Sequence, residues 1–391
     1  MSAGGRSRWP HRRWPVQWNE PFPLQSSKKA TPFFSGPGPG FEKSTMAELG
    51  QSPSLPRVLS GMRPTGKLHL GNYMGALANW VKLQDQGQYE CFFFIADWHA
   101  LTTDYADTSA VKQNATEVML DYLAAGLDPE RSTIFLQSQV PQHAELALIL
   151  GMFTPLGWLE RVPTYKEQQE NLTGKDLSTY GFLGYPLLMA SDILLYQPKF
   201  VPVGHDQTAH VELTREVARR FNQFYRLDGR DVLPEPQVLL TPSPKLPGTD
   251  GRKMSKSYGN TIQMTDQEPE VRKKLKTMVT DPARVRRTDK GDPDKCPVGD
   301  LHKVFSTPET MAKVYDGCRT AGIGCIECKG WAADGLVQVL NPIQARRASY
   351  SESRVEELLV EGSKKAAQRA EQTMDEIRTA MKMPLYNFGK K

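Results

Sequence analysis

Residues 57–98 read RVLSGMRPTGKLHLGNYMGALANWVKLQDQGQYECFFFIADW, and this stretch decides the fold. RVLSGM (57–62) is a short apolar strand, and LGNYMGALANWVKLQ (70–84) has the apolar spacing of an amphipathic helix. CFFFIADW (91–98) is a fully apolar strand. Strand, helix and strand in this order predict two parallel strands joined by a right-handed crossover.

The same alternation continues further along the chain. The elements that we predict next are a helix at 108–126, a strand at 132–138, helical stretches at 141–153 and about 184–196, a strand at 200–204 and an amphipathic helix at 210–224. A sustained alternation of strands and helices is typical of α/β proteins. We therefore predict a Rossmann-type, doubly wound parallel sheet.

In the last third of the chain the strand signals fade, and residues 355–381 have the pattern of a long helix. We predict a catalytic domain with a helical insertion over 51–262 and an α-helical domain over 263–391. Residues 1–50 are rich in Pro, Gly and Arg, and they predict a disordered basic tail. A transit peptide is the alternative, although the prolines would break its helix. Met46 is a candidate start of translation.

The net charge of +5 resides in the tail, because residues 1–45 alone carry +5 and the rest of the 391 residues sum to zero. RNA binding by the body of the protein must therefore rest on local patches. No apolar run approaches the ~18 residues of a membrane-spanning helix, so we expect none.

The segment GMRPTGKLHLGN (61–72) follows the first strand. It approximates a phosphate loop, but Leu68 stands where Ser or Thr would hold magnesium. A better interpretation is that His69 and Asn72 open the next helix, whose backbone N–H groups attract phosphate, while Gly71 allows close approach of a ligand. The alternative is a plain turn with a capping His.

A second polar loop, GRKMSKSYGN, spans residues 251–260. Lys253 and Lys256 supply two cations, and Ser255 and Ser257 supply hydroxyl groups. Such a loop can close over a triphosphate and neutralise charge as pyrophosphate departs. The alternative is a solvated basic loop.

Together, HLGN and KMSKS resemble the two signature motifs of class I aminoacyl-tRNA synthetases. The segment YPLLMASDILLYQPKFVPVGHDQTAHVELTREVARRFN (185–222) resembles the signature region of the tryptophanyl-tRNA synthetases. The resemblance extends from about Arg57 to the C-terminus. It implies a homodimer that activates L-tryptophan with ATP and Mg²⁺, transfers it to tRNA(Trp), and uses the helical domain to bind the anticodon.

The resemblance also implies the residues of the amino acid pocket. Asp192 would accept a hydrogen bond from the indole N–H, which can only donate, and phenylalanine would leave that acceptor unpaired. By this analogy the pocket contains Asp192, Tyr185 and Gln207 for the α-ammonium group, Met189 on the indole face, and Val201 and Val203 on the walls. Without it, Met189 and the two valines would be ordinary core residues.

For ATP, the resemblance implies a catalytic set of His69, Asn72, Lys253 and Lys256. Asp206 would accept a hydrogen bond from a ribose hydroxyl. His205 departs from the Gly-Glu-Asp-Gln that is usual in the family, so we expect its backbone rather than its side chain to contact ATP. The full ATP set is Arg63, Pro64, Thr65, Gly71, Asn72, Gly204, His205, Asp206, Lys253, Met254, Ser255, Lys256 and Ser257.

Four of the five cysteines cluster late in the chain, whereas Cys91 lies in an apolar strand and is predicted to be a core residue. Clustered cysteines without a secretory signal favour a metal site in a reducing compartment, so we expect a cytoplasmic protein. The spacing alone allows zinc or a [4Fe–4S] cluster. A bacterial subset of the tryptophanyl enzymes binds a [4Fe–4S] cluster at a similar pattern, with one more residue in the first gap. By resemblance the ligands are Cys296, Cys318, Cys325 and Cys328.

Arg284, Arg286 and Arg287 form a basic run just upstream of these cysteines. We hypothesise that this run and the cysteine site face the anticodon stem of the tRNA. Two rival functions stay open: a tyrosyl-tRNA synthetase, and a catalytically silent paralogue that binds RNA or senses iron. MASDILLY and VPVGHDQ favour tryptophan, and intact KMSKS and HLGN motifs favour an enzyme.

Overall fold

A sheet of five parallel strands lies at the centre of the fold. The computed structural model describes residues 55–163, 165, 177–240 and 246–383, and the predicted tail at residues 1–50 lies outside these ranges. In chain order the strands of the sheet are β1 (Arg57–Met62), β2 (Glu90–Ile95), β3 (Ser132–Leu136), β4 (Phe200–Val203) and β7 (Gln237–Leu240). A separate antiparallel pair consists of β5 (Arg226–Leu227) and β6 (Arg230–Asp231).

The strand order in the sheet is β3-β2-β1-β4-β7, and every neighbouring pair is parallel. The chain first adds β2 and β3 on one side of β1 and later adds β4 and β7 on the other. The predicted doubly wound parallel sheet is therefore confirmed. The reversal places a topological switch point between β1 and β4, where ligands bind in folds of this kind.

Helices surround the sheet, and from residue 263 to residue 383 they are the only regular elements. The predicted helical C-terminal region is thus confirmed. None of the helices in the described part of the chain is long and apolar enough to cross a membrane. The helices are α1 (Leu70–Asn72), α2 (Ala78–Gln86), α3 (Asp97–Asp104), α4 (Val111–Ala125), α5 (Gln142–Gly151), α6 (Leu156–Glu160), α7 (Tyr180–Tyr196), α8 (Thr208–Phe224), α9 (Glu268–Thr277), α10 (Pro297–Phe305), α11 (Pro308–Arg319), α12 (Cys325–Ala348) and α13 (Glu352–Ala380).

Successive strand residues point to opposite faces of the sheet and so supply two apolar cores. Val58 and Phe93 pack into one core with α2, α4 and the helices α9, α10 and α12. Leu59 and Phe92 pack into the other core with α5, α7 and α8. A parallel sheet that is covered on both faces explains the continuous apolar run of β2.

The long helix α13 crosses the sheet at its β3 edge. Its first half contributes Val355 to one core and its second half contributes Ile377 to the other. Between them, a Cβ atom on Gly362 would lie 1.8 Å from the carbonyl oxygen of Ile134, so only glycine fits. Next to it, Ser363 Oγ accepts a hydrogen bond from the Leu136 N–H at 3.3 Å. The helix therefore covers an edge strand that would otherwise be open to pairing.

The structure differs from the predicted elements in several places. The strand predicted at 91–98 ends at Ile95, because Asp97 begins α3 and accepts a hydrogen bond from the Ser138 N–H at 3.0 Å. The helix predicted at 70–84 contains a π-helical stretch, Tyr73–Leu77. Strand β7 was not predicted, and its pairing with β4 is visible only in the assembled sheet.

Candidate active site

A cavity of about 350 Å³ opens at the carboxyl ends of β1 and β4. This is the switch point of the sheet, and the volume falls in the range of pockets for small ligands, roughly 300–1,000 Å³. All six residues that were predicted to bind the amino acid line this cavity, together with two of the residues that were predicted to bind ATP. These lining residues are Tyr185, Met189, Asp192, Val201, Val203, Gln207, Arg63 and Gly204.

Helix α7 presents three of these side chains on one face. Tyr185, Met189 and Asp192 are four and then three residues apart, the spacing that aligns side chains along a helix. The Tyr185 hydroxyl lies 3.4 Å from His210 Nε2, on the neighbouring helix α8. One helix therefore supplies both the polar floor and an apolar wall of the cavity.

Asp192 is fully buried and binds three side chains. His143 Nδ1 donates to Asp192 Oδ1 at 2.6 Å, Gln137 Nε2 donates to the same oxygen at 2.8 Å, and His99 Nε2 donates to Oδ2 at 2.8 Å. A carboxylate offers about four acceptor positions. One acceptor position therefore remains beyond those that the described residues occupy.

The charge of Asp192 follows from these contacts. Burial by itself raises the pKa of this carboxyl, but the hydrogen bonds from His143 and His99 outweigh it and hold the pKa below its usual range. Behind Asp192, His143 Nε2 lies 2.9 Å from the Tyr196 hydroxyl. Because a neutral His143 carries its proton on Nδ1, its Nε2 accepts from the tyrosine. The hydrogen bonds that connect Tyr196, His143 and Asp192 thus form a buried chain, which together with His99 keeps the carboxylate ionised.

Sequence reasoning missed His99, His143 and Gln137. His99 follows β2 and Gln137 follows β3, so both lie at the carboxyl ends of strands, where sites of doubly wound folds assemble. That rule, applied to the predicted strands, could have found these two. His143 lies on the buried face of α5, where a lone histidine gives no sequence signal.

The first motif begins the helical run that follows β1. His69 is the N-cap residue: its Nδ1 accepts from the Asn72 N–H at 3.3 Å, and Asn72 Oδ1 accepts from the His69 N–H at 3.1 Å. Burial, and then the charge of Lys256, lower the pKa of His69 to about 4. The imidazole is therefore neutral at pH 7, with its proton on Nε2.

The helical run is irregular beside the cavity. Its π-helical stretch, Tyr73–Leu77, contributes Gly75 and Ala76 to the cavity wall, and such segments often mark functional sites. At Gly71, a Cβ atom would lie 2.9 Å from the His69 ring and 3.8 Å from the Met254 Cβ of the second motif. Glycine at this position therefore leaves room for the ring of the N-cap residue His69.

The second motif packs against the first. Lys256 Nζ donates to the carbonyl oxygens of Thr65 and Gly66, at 2.8 and 3.0 Å. Burial lowers the pKa of this ammonium group. Buried Asn260 holds the loop in shape, because its Oδ1 accepts from the Ser255 N–H at 2.8 Å. Lys253 is exposed.

Backbone hydrogen bonds complete the junction. The Leu70 N–H donates to Ile262 O at 2.9 Å, and the Met264 N–H donates to Leu68 O at 2.9 Å. The two motifs are about 180 residues apart in the sequence, yet they form one continuous structure.

The other predicted ATP residues occupy varied environments. Pro64 is buried and Thr65 is exposed. Arg63 Nη2 donates to Thr103 Oγ1 at 2.6 Å, and burial lowers the pKa of this guanidinium. His205 is exposed and opens a short 3₁₀ turn. The side chain of Asp206 lies outside the described structure, so its ribose contact stays a prediction.

The four clustered cysteines line a single second cavity. Its free volume of about 20 Å³ has room for about one water molecule. Among the described side chains, no group of three or more His, Cys, Asp and Glu is arranged to hold a metal ion. The structure therefore gathers the predicted ligands Cys296, Cys318, Cys325 and Cys328, but it does not assemble them as a compact ion site. Cys91 is a core residue, as predicted.

The hypothesis of a three-arginine surface patch is wrong for Arg284. Its side chain is only 8% exposed, and its Nη1 donates to Cys318 Sγ at 3.6 Å. Its Nη2 donates to the carbonyl oxygens of Arg287 and Ile323. The cysteine cavity therefore has a buried cation on its wall, because nearby carbonyl and sulfur acceptors replace water around the guanidinium. Arg286 and Arg287 are exposed, as expected.

Comparison with known proteins identifies the family. The family profile "tRNA synthetases class I (W and Y)" matches residues 53–341. A tryptophan–tRNA ligase of Thermotoga maritima is 52% identical over 330 residues, which cover 84% of this chain and 99% of that protein. A tryptophan–tRNA ligase of Ralstonia nicotianae is 49% identical, and the match covers 83% of this chain and 98% of that protein.

Solved structures agree with this assignment. The crystal structure of the Campylobacter jejuni tryptophanyl-tRNA synthetase complexed with ADP and tryptophan is 33% identical, with a TM-score of 0.75, and the match covers 83% of this chain and 99% of that chain. A tyrosyl-tRNA synthetase of Archaeoglobus fulgidus is 23% identical with a TM-score of 0.58, a likeness of fold alone.

Proposed function

Because the chain belongs to the tryptophanyl-tRNA synthetases of class I, we propose that it activates L-tryptophan with ATP and transfers the tryptophanyl group to tRNA(Trp). The observation that carries this proposal is the buried, ionised carboxylate of Asp192 on the cavity wall, with one acceptor position left. The indole N–H is a donor that fits this position. Phenylalanine would leave the position unpaired and would be rejected strongly.

In this proposal the indole ring lies between apolar walls. Met189 packs on one face of the ring, and Val201 and Val203 line the pocket beside it. Tyr185 and Gln207 take the α-ammonium group of the amino acid. These roles are supported by the arrangement of the five residues around one cavity with Asp192 at its floor.

ATP enters as its Mg²⁺ complex and lies along the two joined motifs. The backbone amides at the start of the helical run bind phosphate, and the neutral His69 adds a donor at Nε2. A carboxylate oxygen of tryptophan attacks the α-phosphorus, and the bond from this phosphorus to the pyrophosphate oxygen breaks. Lys253 and Lys256 neutralise the departing charge, and Lys256 gives up its backbone carbonyl contacts to do so.

The ribose and the adenylate occupy the ends of β1 and β4. Arg63, Pro64 and Thr65 follow β1, and the segment from Gly204 to Gln207 follows β4. A terminal ribose hydroxyl of the tRNA then attacks the activated carbonyl carbon, and AMP leaves. The protein contributes position and charge, and no covalent enzyme intermediate is needed. A translation enzyme of this kind would work in the cytoplasm.

We propose further that the cysteine cavity holds a [4Fe–4S] cluster, for which four thiolates are a complete ligand set. The shared cavity of the four thiols supports this. The hydrogen bond from Arg284 to Cys318 Sγ would help to set the reduction potential of the bound cluster. Bound there, the cluster would pin the surrounding helices together.

Chemical analysis tests the cluster. Protein purified without oxygen should contain about four iron and four sulfide per chain. The variant Cys328→Ala should lose them, whereas Cys91→Ala should keep them. One zinc per chain, or no metal, would contradict the cluster.

For tRNA we propose a contact surface beside this cavity. Arg286 and Arg287 flank two exposed aliphatic side chains, Val285 at 84% and Ile326 at 61% exposure, around one shallow depression. Replacing both arginines by glutamine should reduce the salt dependence of tRNA binding by about two phosphate contacts. An unchanged salt slope would remove these residues from the interface.

A homodimer would cover a second exposed apolar surface. Leu148, Met152 and Leu156 are 60%, 74% and 59% exposed on α5, α6 and the turn between them. Apolar side chains clustered in this way mark protein contacts. Sedimentation should give a dimer for the native chain and a monomer for Met152→Glu. A monomeric native chain would contradict the dimer.

Pyrophosphate exchange into ATP tests the function as a whole, with tryptophan and tyrosine assayed side by side. Exchange with tryptophan alone is expected. Exchange with tyrosine alone would mean that Asp192 has a different role. No exchange with either, in protein purified with its metal, would favour a silent RNA-binding or iron-sensing paralogue.

A further inference from the structure

Asp121 lies beneath the first motif and is bound from two sides. The residue is on α4, and its side chain is fully buried. Its Oδ2 accepts a hydrogen bond from the Leu68 N–H at 2.7 Å, and its Oδ1 accepts from Arg347 Nη1. Since Leu68 immediately precedes His69, this carboxylate holds the peptide that leads into the ATP motif.

Arg347 reaches Asp121 from the last turn of α12, in the helical region. Its Nη2 pairs with the Glu117 carboxylate, and its Nη1 also lies 3.4 Å from Glu117 O. The preceding residue, Arg346, donates from Nε to Ala124 O at 2.8 Å. Two consecutive arginines thus fasten the end of α12 to α4.

The same end of α12 also holds the chain that follows the second motif. Gln344 Nε2 donates to Met264 O at 3.1 Å and to Asp266 O at 2.8 Å. The Met264 N–H in turn binds Leu68 O. Leu68 therefore has both polar backbone groups bound, its N–H by Asp121 and its C=O by Met264, and both contacts lead back to α12.

Burial makes this arrangement depend on Arg347. Burial raises the pKa of Asp121 to about 6, and the charge of Arg347 is the main opposing effect. Without the arginine, a buried carboxylate would lose its counter-charge. A protonated carboxyl would also carry an O–H that donates, so its protonated oxygen would be a weaker acceptor for its present partner.

We propose that Asp121 and Arg347 are positioning residues for the activation of the amino acid. They fix Leu68, and with it the start of the helical run, in the orientation that receives the phosphates of ATP. This inference rests on the proposed function, because it assigns the first motif to ATP. Neither residue lines the amino acid cavity, so their effect falls on ATP and not on tryptophan.

Calorimetric titration of the full chain with a non-hydrolysable ATP analogue, and separately with tryptophan, tests this inference. Asp121→Asn and Arg347→Met should each weaken binding of the analogue about fivefold or more, and each should change binding of tryptophan less than about twofold. Glu117→Gln is the matched control, because it removes another contact of Arg347 without touching Leu68. It should leave both affinities within about twofold of the native values. The double variant Asp121→Asn, Arg347→Met should be no weaker than the worse single variant, because both act through one contact.

Equal weakening of both ligands would overturn the inference, and so would additive effects in the double variant. If Arg347→Met does not fold, Asp121→Asn alone carries the test, and a native affinity for the analogue in that variant would overturn the inference. Binding of the analogue is measured without turnover. A native chain that binds the analogue but performs no pyrophosphate exchange would contradict the proposed function. The affinities of the variants could still be compared, and they would still decide this inference.

Discussion

His143 Nδ1 lies 2.6 Å from Asp192 Oδ1, and both side chains are completely buried. The imidazole is itself oriented by the Tyr196 hydroxyl at its other nitrogen. Together with His99 and Gln137, this histidine therefore fixes the charge and the direction of the carboxylate that faces the cavity. Under the proposed function, the specificity of the pocket would depend in part on a residue that does not line it.

The first prediction concerns that histidine. His143→Ala removes one donor from Asp192 and leaves the Tyr196 hydroxyl buried without its partner. We expect the KM for tryptophan in pyrophosphate exchange to rise about tenfold, equivalent to about 1.4 kcal/mol, with little change in the KM for ATP. Because burial then raises the pKa of Asp192, the acid limb of kcat/KM for tryptophan should move to higher pH.

Tyr196→Phe is the control for this change. It keeps the bond between His143 and Asp192, so the KM for tryptophan should rise less than about threefold. A rise of the same size for both substrates in His143→Ala would mean general damage to the fold.

The second prediction concerns the N-cap of the first motif. Gly71→Ala would place a methyl group 2.9 Å from the His69 ring, so the N-cap side chain must shift. We expect the KM for ATP to rise about tenfold or more, with the KM for tryptophan unchanged. Gly330→Ala on α12 is the control, since a Cβ there meets nothing within 4 Å. Native kinetics in Gly71→Ala would show that the orientation of the His69 ring does not matter for ATP.

A third prediction concerns the crossing of α13 over β3. The added methyl group in Gly362→Ala meets the Ile134 carbonyl oxygen, a rigid neighbour, so α13 must move away from the sheet. We expect a loss of about 1–3 kcal/mol in the free energy of unfolding, measured by urea denaturation. Gly181→Ala on α7, where a Cβ has open space, should be neutral or slightly stabilising. Equal stability of both variants would disprove this account of the packing.

The fourth prediction is a pH dependence of stability that arises from His69. Its folded pKa of about 4 is below the ordinary 6.5, so between these values the unfolded chain binds a proton that the folded chain does not. The free energy of unfolding therefore falls as pH decreases through this window, by at most about 1.4 kcal/mol per pH unit from this group. His69→Asn keeps a capping side chain and should flatten the curve. If the free energy of unfolding, measured by urea denaturation, falls as steeply from pH 6.5 to 4 in His69→Asn as in the native chain, the assignment to His69 is wrong.

The resemblance to the tryptophanyl-tRNA synthetases predicted residues that the structure gathers around one cavity. Tyr185, Met189 and Asp192 share a face because they lie on one helix, and Lys256 belongs to a loop whose composition fits a phosphate ligand. The supports behind them could not be predicted in this way. His99, Gln137 and His143 come from three separate elements, and no periodicity connects them to Asp192.

Arg284 illustrates the same limit for charge. A run of arginines in a chain that is otherwise neutral indicates a solvated surface, because the local sequence does not show which distant groups contact each side chain. The fold supplies those partners from distant segments, the Cys318 sulfur and the Ile323 carbonyl oxygen, and the side chain is buried. The strand β7 was missed for a related reason, since its pairing with β4 is visible only in the assembled sheet.

The position of α13 also constrains how the protein can be made. The helix is synthesised after every strand of the sheet, yet it is the element that covers the β3 edge. On the ribosome, the sheet can form with that edge open, and an open edge can pair with another nascent chain. Helix α13 (residues 352–380) is therefore the last element to cover the β3 edge. A translation stop before it would leave this edge open and the product prone to aggregation.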